Sequence, residues 1–133
     1  MAGLVPYLFF PGTARQALEF YRSIFGGDLI VNTYADFDRT DGPGDAVAHA
    51  MLTGPVQLFG SDVAGDQPPV AVEGVMFSLL GTAQPEALRT WFLGLADGGR
   101  VVDPLQPRPW GASDGQVVDR FGVHWLIGFE GDG

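Results

Sequence analysis

The chain has 133 residues, no cysteine and a formal net charge of −9; at this size one domain is expected, or two half-modules sharing a core. The missing thiols exclude disulfides, iron–sulfur clusters, thiolate zinc and cysteine nucleophiles. All seven basic residues are scattered arginines, which argues against a nucleic-acid partner, and the acidic balance suits a cationic ligand.

Residues 4–10 form a short aromatic and aliphatic run stopped by Pro11 and Gly12, the pattern of a strand. Thr13 then stands as a helix N-cap, with Gln16 three residues on to complete a capping box. Ala14, Ala17, Leu18, Tyr21 and Phe25 keep helical spacing until Gly26 and Gly27 end it. Residues 28–34 predict a second strand, and residues 46–53 and 56–61 a hairpin around Gly54 and Pro55. Between them Asp36, Asp38, Asp41 and Asp45 crowd one connection. A calcium loop wants Gly at its sixth position and Glu at its twelfth. Counted from Asp36 those places hold Asp41 and Val47, so the segment reads as a solvated loop.

Gln67, Pro68 and Pro69 predict the link to a second half. There the order repeats: a strand over 74–80, a helix over 85–96 opened by Pro85, a stop at Gly98 and Gly99, a strand starting at 100–103, then a closing pair over 115–119 and 123–129. The likeness extends to residue types. Residues 9–21 and 79–92 both run from apolar residues through Gly-Thr-Ala to an Ala-Leu and aromatic stretch, about 70 positions apart. Two β-α-β-β-β modules follow, one over about residues 3–63 and one over about 70–130, within a single domain spanning 1–133. Eight strands and two helices with short connections indicate an α+β fold rather than a doubly wound parallel sheet. No apolar run reaches membrane-spanning length, and no basic region precedes an apolar one at the N-terminus. The expected compartment is therefore the cytoplasm, with no membrane partner.

Residues 6–10, 17–27, 48–52, Ser61 with Asp62, Trp110 with Gly111, and 119–125 together resemble the PhnB-like branch of the vicinal oxygen chelate superfamily. This group is also called the glyoxalase/bleomycin resistance/dioxygenase superfamily, and the resemblance covers about residues 3–129. It implies two βαβββ modules forming a curved, mostly antiparallel eight-stranded sheet around a cavity, and a homodimer in which modules pair within or between chains. In the superfamily's metalloenzymes, His, Glu or Gln on the first and last strands of each module hold a divalent ion that polarises vicinal oxygens. Members of this branch often carry a methyltransferase-like label, but no strand-borne G-x-G-x-x-G opens a helix here.

The four positions matching that metal set are Pro6, Phe59, Gly74 and Leu126, whose side chains cannot ligate an ion, and the adjacent Tyr7, Leu58, Val75 and Trp125 do not restore the donor set. No metal or other cofactor is expected. His124 lies two residues before Leu126, so strand alternation aims it at the cavity; the facing of His49 is open. Each histidine is a candidate acid–base group or ligand hydrogen-bond donor, beside the plain reading of a satisfied strand histidine. A two-histidine metal site with Asp62 is the remaining metal arrangement. By the same alternation Leu8, Phe10, Gln57, Phe59 and Ser61 face the cavity, while Tyr7 and Phe9 pack under the helices. Trp110 and Trp125 are the candidates for stacking a ligand, and Asp62 is expected to bond local backbone at a turn. The ligand-binding set is thus Leu8, Phe10, Gln57, Phe59, Ser61, Trp110, His124 and Leu126. The expected function is binding of a small aromatic or cationic molecule without a metal. The alternative is a lyase, isomerase or dioxygenase-type enzyme using a displaced metal or His49 and His124.

Overall fold

A computed structural model describes residues 3–64, 68–71 and 73–131, and the chain divides between Val70 and Ala71 into two compact units. Pro68 and Pro69 of the expected link sit at this boundary, whereas Gln67 lies outside the described residues.

The first unit contains β1 (Tyr7–Phe10), α1 (Ala14–Phe25), β2 (Asp28–Thr33), β3 (Val47–Thr53) and β4 (Leu58–Asp62). Its sheet has the order β1-β4-β3-β2, with β1 parallel to β4 and the other pairs antiparallel. The four-residue connection from β3 to β4 permits only an antiparallel pair, β2 and β3 pair antiparallel across a longer connection, and the parallel pair joins strands at opposite ends of the unit. A helix of 12 residues is marginal in water by itself. What holds α1 is the burial of Ala14, Ala17, Leu18, Tyr21 and Phe25 against β2, β3 and β4. Opposite them lie Leu8, Phe10, Ala50, Leu52 and Leu58, and burial of each large apolar side chain contributes about 1.5–3 kcal/mol.

The second unit repeats the plan with β5 (Phe77–Leu80), α2 (Pro85–Ala96), β6 (Arg100–Pro107), β7 (Ala112–Val118) and β8 (His124–Glu130), in the order β5-β8-β7-β6. Leu88, Trp91, Phe92 and Leu95 of α2 are buried, as are Leu79, Val117, Trp125 and Ile127 of its sheet. The α+β class and the doubled β-α-β-β-β order agree with the sequence. The eight strands form two four-stranded sheets rather than one eight-stranded sheet.

Three local expectations change. Thr13 makes no side-chain cap bond, so the capping box is absent. Its place is taken by Asp62, whose Oδ1 accepts the Ala14 N–H at 2.9 Å while Oδ2 accepts the Val47 N–H at 2.9 Å. Asp62 therefore ties distant backbone together instead of bonding a local turn. The third change concerns β1, where Leu8 and Phe10 are buried and Tyr7 and Phe9 are exposed. Gly60, paired with Leu8, gives the reason: a side chain there would strike Phe10 and Leu18 of α1, so this face belongs to the helix. Leu8 and Phe10 are core residues, and Tyr7 and Phe9 lie on the helix-free face.

Candidate functional site

Each unit covers one sheet face with its helix and leaves the other helix-free, and pairing register assigns side chains to that open face. In the first unit Tyr7 pairs with Phe59, Phe59 with Met51, and Asn32 with His49. His49, whose facing the sequence left open, thus shares the helix-free face with Tyr7 and Phe59. Tyr7 Oη lies 2.9 Å from His49 Nδ1, and the two rings stack at 5.5 Å between centroids with 19° between planes. Phe59 meets the imidazole edge-on at 5.9 Å, and Phe9 leans on Tyr7 at 5.6 Å. Ser61 pairs with Phe9 on the same face but is buried, and Gln57 is half-buried just before β4. Asp62 points the other way, its carboxylate committed to Ala14 and Val47. A metal site joining it to His49 is therefore excluded by geometry.

In the second unit His124 and Leu126 share the helix-free face, as their spacing predicts; they pair with Val118 and Gln116. His124 Nε2 donates to Gln116 Oε1 at 2.9 Å. Trp125 turns inward, 1% exposed, with its indole N–H donating to Asp119 Oδ2 at 2.9 Å. A stacking role is closed to it. Trp110 stands in the turn between β6 and β7 and is 71% exposed. It walls a hollow of about 370 Å³ together with Leu80 and Phe129, and Asp114 and Glu130 stand at its edge. His124 and Leu126 are not among the residues lining it.

Beside the hollow, Arg108 bridges Asp103 at 2.7 Å and Asp114 at 2.8 Å. Its hydrogen bonds to Asp103 first and to Asp114 second push the guanidinium pKa above its usual value. Arg108 is thus shared between two carboxylates, and a second guanidinium, that of Arg89, lies 4.9 Å over the ring of Phe129. Sequence reasoning missed Asp114 and Glu130, although the alternation of Ser113, Gly115 and Val117 with Asp114 and Gln116 marks the two faces of β7.

The acidic connection after β2 spends two of its four carboxylates, those of Asp36 and Asp41, internally. Asp36 accepts the Thr33 N–H at 2.8 Å, and Arg39 pairs with Asp41 at 2.6 Å while lying 3.9 Å over the Tyr34 ring. The Arg39 hydrogen bond holds the Asp41 carboxyl below its usual range. Among the described residues no group of three or more His, Asp or Glu is placed to hold a metal ion. The positions matching the metal set carry Pro6 ahead of β1, Phe59 and Leu126 on helix-free faces, and Gly74 in the loop before β5 at φ +71°. None offers a donor atom in its side chain, so these residues do not fit a divalent ion.

A family model described as Glyoxalase/Bleomycin resistance protein/Dioxygenase superfamily matches residues 3–127. Protein PA1353 from Pseudomonas aeruginosa is 34% identical, with 99% of this chain and 100% of that one covered and a TM-score of 0.79. Protein YjdN of Escherichia coli strain K12 is 29% identical over 93% of this chain and 92% of its own length. A Bacillus cereus PhnB protein, titled a putative 3-demethylubiquinone-9 3-methyltransferase, shares the fold at a TM-score of 0.79 and 22% identity, covering 96% of this chain and 99% of that one.

Proposed function

The chain belongs to the glyoxalase/bleomycin resistance protein/dioxygenase superfamily, whose fold binds small molecules, and from that premise we propose that it binds a cationic, flat ligand without a divalent metal. The observation that carries this reading is the hollow lined by the exposed Trp110 together with Asp114 and Glu130, of which Asp114 is already paired with Arg108 and Glu130 is the remaining carboxylate. An ammonium group over an indole gains from the ring quadrupole, and more so where carboxylates add their field. The chain's charge of −9 draws such a ligand in from solution. The homodimer implied by the family resemblance and the cytoplasmic setting expected from the sequence belong to the same proposal.

Tryptophan fluorescence tests it. Trp91 and Trp125 are buried, so an aqueous ligand that quenches by contact reports on Trp110. Benzylammonium, titrated with EDTA present, is expected to quench saturably, and Trp110→Leu to abolish the saturable phase. Quenching that is linear, that survives Trp110→Leu, or that EDTA removes would sink the proposal. The second reading, an acid–base lyase or isomerase, draws on the partly exposed imidazole of His49 on the first unit's open face. It requires a histidine nitrogen free to accept a proton.

A further inference from the structure

Going beyond the Trp110 hollow to the first unit's helix-free face, we propose that Tyr7 holds His49 in its Nε2–H tautomer, so that this ring offers one N–H donor to an oxygen acceptor on a flat, uncharged ligand. The contact of 2.9 Å between Tyr7 Oη and His49 Nδ1 has two possible directions. A phenol is the stronger acid and a weak acceptor, whereas the pyridine-type nitrogen of neutral imidazole is a strong acceptor. The phenol therefore donates, Nδ1 accepts, and the ring proton resides on Nε2.

Among the described residues Nε2 of His49 has no hydrogen-bond partner, and the ring is only partly buried. Its surroundings are aromatic. Tyr7 stacks on one side, Phe59 meets it edge-on, and no carboxylate is paired with it. A carbonyl oxygen brought in by a flat ligand replaces water at this N–H, and the exchange leaves a modest, directed gain. Tyr7 is then a positioning residue that acts through His49. In this tautomer neither ring nitrogen has a free lone pair. The arrangement therefore opposes proton abstraction by His49 and favours recognition.

Long-range proton–nitrogen NMR spectra of the full chain at about pH 8.5, roughly two units above the ordinary histidine value, read the tautomer with no ligand present. The wild type is expected to show His49 as a single Nε2–H form. Tyr7→Phe should bring its two nitrogen shifts toward the average of a mixture while leaving the backbone amide spectrum in place. Tyr7 is 40% exposed, so this substitution leaves the core intact. Benzamide, neutral and bearing a carbonyl oxygen, should then shift His49 Nε2, and Tyr7→Phe should weaken its binding about threefold or more. Benzylammonium, which lacks the acceptor, should leave His49 unmoved. An Nδ1–H form in the wild type, a tautomer unchanged in Tyr7→Phe, or benzamide without effect on His49 each overturns the proposal. An Nδ1–H form would also turn the balance toward the acid–base reading. The tautomer is read without ligand, so it stands or falls separately from Trp110 quenching.

Discussion

Asp62 is buried, 7% exposed, and each of its oxygens accepts one backbone N–H, from the first residue of α1 and the first of β3. A carboxylate at a helix N-terminus gains from the dipole as well as from the bond. Asp62→Ala leaves two buried donors unpaired and is expected to cost about 2–4 kcal/mol in urea unfolding. Asp62→Asn keeps one acceptor and should cost less. Equal stability of Asp62→Ala and wild type would show that water serves those donors as well as the carboxylate does. Sequence spacing placed this aspartate at a turn, because nothing local reveals that its partners lie 48 and 15 residues away. The misplacement of Leu8 and Phe10 has a different cause. All four residues of β1 are apolar, so period 2 carries no polarity there, and a register anchored one residue off reverses both faces. His124 and Leu126 share a face, as two-residue spacing along one strand requires. The aromatic setting of His49 depended on Tyr7 and stayed hidden with it.

At the level of elements the duplication extends to single glycines. Gly27 and Gly99 each stand immediately before the strand that follows their unit's helix. A Cβ on Gly27 would collide with the Thr53 carbonyl oxygen at the end of β3, and one on Gly99 with the Val118 carbonyl oxygen at the end of β7. The double glycines seen in the sequence therefore do more than stop helices. The second of each pair lets the chain pass against a neighbouring strand's backbone, and only Gly fits. Gly99→Ala is expected to destabilise the protein by about 1–3 kcal/mol, because the atoms in the way are backbone and cannot rotate aside. Gly3→Ala, with nothing within 4 Å, serves as the control and should be neutral. A Gly99→Ala variant that unfolds at the wild-type urea concentration would mean that the close approach relaxes at no cost. Helix positions and strand order were legible because their signals are local: apolar spacing, Pro85 at a helix start and paired glycines at the stops. Division into two four-stranded sheets was not, since strand pairing depends on contacts distant in sequence.

For the whole molecule the question is what covers the helix-free faces. In the single chain Tyr7 is 40%, Phe9 39% and Ile30 54% exposed on the first unit's open face, and Leu80 is 53% exposed on the second's. Each sheet also ends in two edge strands, β1 and β2 in one and β5 and β6 in the other. Apolar groups clustered on one face mark an association surface, although the β1 edge is partly taken up where the Phe9 carbonyl accepts the Val70 N–H. A homodimer is the expected state, and sedimentation equilibrium at micromolar concentration should give twice the chain mass. Ile30→Asp places a charge on the open face beside Met51, its partner in β3. Burying that charge unpaired is unfavourable, so the variant should sediment as one chain while its circular dichroism stays that of the wild type. A wild type that sediments as one chain would refute the dimer. An Ile30→Asp variant that keeps twice the mass would place the contact elsewhere and leave the first unit's open face to the ligand alone.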